Sequence, residues 1–147
     1  MIKFRRAELP ACCAPSVGPP PILLLASEPQ SASAARKFVR EFVTYHVPDA
    51  SDNYVDASVL VACELVTNAL RYGTEPGDTV RVVLDSDTTR TRIEVHDPVR
   101  RHPKVRPESA ERDRRRGLII LDFLCPDAWG VDDIPMGKTV WAEVSAR

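Results

Sequence analysis

Two side chains suited to metal-ion and proton-transfer chemistry stand four positions apart in Glu64-Leu-Val-Thr-Asn68-Ala-Leu-Arg-Tyr-Gly73. On a helix that spacing is about one turn, so Glu64 and Asn68 project from the same side. The apolar residues Val59, Ala62, Val66 and Ala69 point elsewhere, which puts the pair at the border of a cleft beside the core. A carboxylate and a carboxamide together make a hard-oxygen site. The amide oxygen can ligate Mg²⁺, which keeps water and phosphate oxygens as its other ligands. The carboxylate can hold or deprotonate a nucleophile. The same two residues also fit a blander arrangement, a solvated glutamate and an asparagine hydrogen-bonded near its helix end. The pair alone does not choose between them.

The elements that must position this pair follow from hydrophobic patterning. Residues 1–21 carry Pro10, Pro15, Pro19, Pro20 and Pro21, which leave no room for a regular ladder, so they read as a flexible tail. Ile22 to Ala26 is a short buried strand. Ser31 or Ser33 can cap a helix running to about His46, with Phe38 and Phe42 on its buried face. Val47-Pro48-Asp49 breaks it. A second helix spans about Asn53 to Tyr72, and Gly73 supplies a left-handed cap. Val80 to Leu84 and Thr91 to Val95 alternate as a hairpin. From Asp97 to Arg116 no periodicity survives. Pro98, Pro103 and Pro107 sit there among many basic residues, a composition for a functional lid or a disordered segment. Gly117 to Leu124 is a short apolar helix, and Trp129 to Val131 with Thr139 to Val144 forms a second hairpin. This order predicts an α+β fold of two layers, a mixed sheet with helices on one face, over residues 22–147.

Composition narrows the function classes. The chain has 147 residues, 44% hydrophobic and 28% charged, the balance of one globular domain. Apolar runs such as Ile22 to Ala26 stop far short of the roughly 20 residues of a membrane span. No apolar stretch follows Met1 to Arg6 before Pro10, so no secretory signal is expected. The net charge of −1 gives no global attraction to nucleic acid or to an anionic membrane. Cys12, Cys13, Cys63 and Cys125 form no C-x-x-C pair, which argues against structural zinc or a disulfide framework. A reducing cytoplasm is the expected setting. Gly137-Lys138-Thr139 is no phosphate-binding P-loop, because position 132 is Asp132 and a strand-like run follows. A hydrolase triad on His96 and Asp97 lacks a G-x-S-x-G elbow.

Taken together, the segments do more. Glu64 to Gly73 closely resembles the N-box of the gyrase, heat-shock-chaperone, histidine-kinase and MutL (GHKL) ATPase superfamily, with the phrasing of anti-sigma-factor serine kinases of actinobacterial type. Ile93-Glu94-Val95-His96-Asp97 is similar to the strand that ends in the family's adenine-binding Asp. Arg115-Arg116-Gly117-Leu118-Ile119-Ile120-Leu121 resembles the glycine segment opening the helix after the ATP lid. Trp129-Gly130-Val131 and Gly137-Lys138-Thr139-Val140-Trp141 resemble the closing hairpin, whose Thr faces the adenine. The resemblance runs from about Ala35 to Val144 in order. It implies a Bergerat-type fold binding ATP and Mg²⁺, with Asn68 on the metal and Glu64 catalytic. Asp97 and Thr139 would take the base, and Arg115, Arg116, Gly117 and Leu118 the phosphates.

Each implied role has a physical basis and a plainer alternative. Asp97 can accept an amino hydrogen in an apolar pocket, or simply form a turn before Pro98. Gly117 at a helix start lets backbone N–H groups approach phosphate, or serves as a hinge. Thr139 can bridge to the base, or be an ordinary strand residue. The glycines common after the adenine strand are replaced by Pro98-Val99-Arg100-Arg101, and Arg115 stands where glycine is frequent. Arginine side chains would then replace part of the backbone phosphate cradle. By resemblance the partners are a sigma factor, an anti-anti-sigma protein of the STAS type, and a second copy of the chain. Two functions remain open: a serine/threonine kinase acting on the anti-anti-sigma partner, or a binding module that sequesters its partner with little or no turnover.

Overall fold

The structure is a computed structural model that describes residues 20–98 and 108–146, with the side chains of residues 108–115 outside the description. The elements run β1 (Ile22–Ala26), α1 (Ser31–His46), α2 (Asp52–Tyr72), β2 (Thr79–Ser86), β3 (Arg90–Asp97), α3 (Glu108–Leu124), β4 (Trp129–Ile134) and β5 (Gly137–Ser145). The expected tail lies outside the described residues except for Pro20 and Pro21. The carbonyl of Pro21 already accepts the N–H of Leu84 at 2.8 Å and opens the β1 ladder.

The five strands form one sheet in the order β1-β2-β3-β5-β4. The α+β, two-layer expectation holds, but every pairing is antiparallel rather than mixed. The reason lies in the connections. Two helices separate β1 from β2 and return the chain reversed. A single helix separates β3 from β4, so these strands point the same way, yet β5 lies between them and meets both antiparallel.

The core is the sheet face under the helices, where Val80, Val82, Ile93, Val95 and Ala142 are fully buried. Helix α1 buries Ala35, Phe38, Val39, Phe42 and Val43, the spacing of one helical stripe. Its entry differs from expectation: Gln30 is the cap residue, with no side-chain cap, and the Ser31 hydroxyl donates to the Ala26 carbonyl at 2.7 Å. Ser31 thereby ties α1 to the end of β1. Helix α2 is capped by Ser51, whose hydroxyl accepts the N–H of Tyr54 at 3.1 Å. The expected stripe Val55, Val59, Ala62, Val66 and Ala69 is buried. Tyr54 and Thr91 share a buried hydroxyl–hydroxyl bond of 2.5 Å that fixes α2 over β3. Such a bond satisfies two polar groups that would otherwise be costly to bury.

The opposite sheet face is open and polar. Arg92 lies 4.4 Å over the Trp141 ring and donates to Glu143 at 3.1 Å. Among the described residues, no helix is long and apolar enough to cross a membrane.

Candidate functional site

The C-terminal half of α2, the end of β3, α3 and the β4–β5 hairpin enclose a cavity of about 130 Å³. Its polar lining is Asn68, Tyr72, Asp97 and Lys138, and its walls include Leu118, Trp129 and Val140. Asn68 and Tyr72 are four apart on α2, so one helix face delivers both. Asp97 comes from the last position of β3, where the strict alternation of that strand turns it inward to 3% exposure. Lys138 pairs with Asp97 across the β3–β5 ladder, and its ammonium stands 3.6 Å from Asp97 Oδ2.

Two glycines make room for Asp97. A Cβ on Gly73 would lie 2.6 Å from both Cγ and Oδ2 of Asp97. Gly73 has φ −108° and ψ −2°, so it is not the left-handed cap expected from sequence. Its hydrogen atom is needed because the carboxylate packs directly on the end of α2. On the other side, a Cβ on Gly137 would stand 1.9 Å from the Asp97 carbonyl oxygen, and the φ of 151° also favours glycine.

Glu64 stands one turn before Asn68, and the two meet α3 together. A Cβ on Gly117 would lie 3.1 Å from Glu64 Oε2 and 3.2 Å from Asn68 Nδ2. Burial pushes the Glu64 carboxyl above its ordinary pKa, partly opposed by the positive charge of Arg71. Glu64 is therefore a carboxylate with raised basicity one helical turn from Asn68, and it is not itself among the cavity's lining residues.

Gly117 does not open a helix, as the sequence suggested; it lies in the interior of α3. Residues Glu108 to Arg116 are mostly strong helix formers, so the helix starts before the glycine. In the helix interior the Gly117 N–H is committed to the backbone ladder and is not among the four unpaired donors of a helix start. The glycine instead lets α3 settle on Glu64 and Asn68. Leu118 lines the cavity, Arg116 is exposed, and the Arg115 side chain lies outside the described residues.

Thr139 needs a second correction. It pairs with His96, one position away from the Asp97–Lys138 pair. Because successive strand residues face opposite sides, Thr139 lies on the helix-free side of the sheet with His96 and Trp141, where it is buried to 5% exposure. The residues β5 gives to the cavity are Lys138 and Val140. Sequence reasoning thus missed Lys138 and the approach role of Gly73. The available signal was a glycine directly after the Glu64–Asn68 helix, in a chain with only six glycines.

Residues 25–142 match the family model of the histidine kinase-like ATPase domain. The chain belongs to that family. The match runs from the end of β1 into β5 and includes every residue of the cavity. No curated protein matches the chain. As a histidine kinase-like ATPase domain of the GHKL type, it carries a fold built to bind ATP, usually with Mg²⁺. The donor set fits that ion. Among the described residues no three His, Cys, Asp or Glu side chains converge on one point. A metal at Asn68 would thus take its other ligands from phosphate and water, which is how Mg²⁺ is commonly held. The cavity is smaller than the roughly 300–1,000 Å³ of sites that enclose a whole cofactor. It is base-sized, and α3 packs on Glu64 and Asn68 at Gly117.

Proposed function

We propose that this ATPase domain is an anti-sigma-factor-type protein serine/threonine kinase acting on an anti-anti-sigma partner of the STAS type. The observation that carries the reading is Glu64, a carboxylate of raised pKa that meets Gly117 of α3 together with Asn68, a residue of the cavity lining. Asp97, closely packed between Gly73 and Gly137, accepts the amino hydrogen of the adenine. Asn68 would hold Mg²⁺ through its amide oxygen, and the ion would supply charge neutralisation for the transferred group. A partner serine hydroxyl then attacks the γ-phosphorus, Glu64 accepts its proton, and ADP leaves. Little covalent work falls to the protein; catalysis is mainly positioning and charge stabilisation.

One observation favours a second reading, a partner-sequestering module with weak or no turnover. Helix α3 runs unbroken through Gly117 and covers the Glu64–Asn68 pair. The kinase reading therefore requires α3 to shift at Gly117 so that the phosphates can reach Asn68.

The test is incubation of the full chain with labelled ATP and an anti-anti-sigma protein carrying a phosphorylatable serine, beside calorimetric titration with nucleotide. Glu64→Ala is expected to abolish transfer and keep binding. Asp97→Ala is expected to weaken binding itself by about 1–3 kcal/mol, the cost of losing a buried hydrogen-bond partner. Tight binding with no transfer by the unaltered chain would select the sequestering module. Equal loss of binding in both variants would overturn the division of roles.

A further inference from the structure

The β3–β5 register moves the hydroxyl of Thr139 to the wrong side of the sheet and puts a primary amine in its place. Asp97 and Lys138 are direct cross-strand partners, so their side chains emerge on the same, cavity-lining face. The Asp97 side chain is 1% exposed and the Lys138 side chain 30%, with Nζ 3.6 Å from Oδ2. That separation exceeds a charge-assisted hydrogen bond, which is about 2.7–2.9 Å. An acceptor and a donor thus stand side by side at the end of a base-sized cavity whose walls include Trp129, Val140 and Leu118.

We infer that Lys138 is a binding residue for the base, its ammonium donating to N1 of the adenine while Asp97 accepts from the N6 amino group. The inference rests on the proposed binding of an adenine nucleotide. Its support is chemical complementarity. The adenine edge presents a donor, N6–H, directly beside an acceptor, N1, and the Asp97–Lys138 pair presents the matching acceptor and donor. Lys138 has hydrogen-bonding capacity for this, since an ammonium carries three donors. A purine with C–H at position 1 would keep the Asp97 contact and leave the ammonium facing a carbon.

The experiment compares ADP with 1-deaza-ADP by calorimetry on the full chain, in the unaltered protein, Lys138→Met and Thr139→Val. The unaltered protein is expected to bind ADP at least 10-fold more tightly than 1-deaza-ADP. Lys138→Met should lose that 10-fold on ADP and show the same affinity for both ligands. Thr139→Val should keep the discrimination of the unaltered protein. The first comparison needs no variant, so it decides even where Lys138→Met fails to fold. Equal affinity of the unaltered protein for the two ligands overturns the assignment. So does a Lys138→Met protein that still discriminates, which would leave the lysine as a counter-ion to Asp97. Loss of discrimination in Thr139→Val alone would return the role to the hydroxyl. If the unaltered chain binds neither ligand, the adenine-nucleotide reading itself falls, and the role of Lys138 with it.

Discussion

Replacing Gly73 by alanine adds one methyl group where the end of α2 meets the Asp97 carboxylate. The new Cβ would stand 2.6 Å from Asp97 Cγ and Oδ2 and 2.9 Å from the Ala69 carbonyl oxygen. The backbone itself raises no objection, because φ −108° and ψ −2° suit alanine. Loss of glycine entropy in the unfolded chain contributes roughly 0.4–1 kcal/mol in favour of the variant. Against this stands overpacking, which costs typically about 1–3 kcal/mol. The nearest obstacles are side-chain atoms of Asp97, so the carboxylate swings aside before the backbone moves. The net destabilisation is then about 0.5–2 kcal/mol, and at roughly 2–4 °C per kcal/mol the melting temperature drops by some 1–8 °C. The larger effect is on binding. A displaced carboxylate forfeits a buried hydrogen bond, about 1–3 kcal/mol, which weakens adenine-nucleotide affinity by roughly 5- to 150-fold. The assay is denaturant unfolding plus calorimetry on Gly73→Ala, Asp97→Ala and the double variant. In the Asp97→Ala background the methyl group has room, so Gly73→Ala should no longer destabilise, a coupling of about 1 kcal/mol or more. Full affinity in folded Gly73→Ala would refute the reasoning. So would an identical stability cost in both backgrounds.

Three further outcomes are expected. Arg115→Pro restarts α3 at position 115, where proline is tolerated, and leaves the Gly117 N–H among the four unpaired donors. If α3 must withdraw for ATP to enter, an interior proline worth about 3 kcal/mol should tighten nucleotide binding, by up to roughly 100-fold; unchanged or weaker affinity counts against the covering role. Glu64 holds its proton in the native protein at pH values where the unfolded chain has lost it, because burial raises its pKa. Its contribution to stability therefore declines as pH rises through the native pKa, so Glu64→Gln should melt higher than the unaltered protein near neutral pH, with the gap closing at about pH 4. Burial, followed by the charge of Glu143, pushes the Cys125 thiol up to about 11. In a Cys12→Ser, Cys13→Ser background, a thiol reagent at about pH 8 should label half-buried Cys63 in the native state and Cys125 only on unfolding; native labelling of Cys125 would contradict its burial.

Much of the architecture was legible because it rests on local periodicity. The stripe from Val55 to Ala69, the aromatic pair Phe38–Phe42 and the alternating runs in β2 and β3 each declare an element and its buried side. Glu64 and Asn68 were legible for the same reason, since four residues on one helix fix a shared face without any tertiary information. What sequence alone could not determine depended on how elements meet. Gly117 looked like a helix start because its segment resembles the family's glycine segment that opens a helix, but the flanking run from Glu108 carries the helix through it and packing on Glu64 and Asn68 uses its missing side chain. Gly73 looked like a cap because it ends a helix, whereas the need for glycine there comes from a carboxylate 24 positions later in the chain. Thr139 looked like the base contact because its segment resembles the family's closing hairpin, whose Thr faces the adenine. The side-chain period of a strand is two, so a single step of register between β3 and β5 decides which neighbour enters the cavity. That register is a long-range property of the ladder, and it places Lys138, not Thr139, beside Asp97.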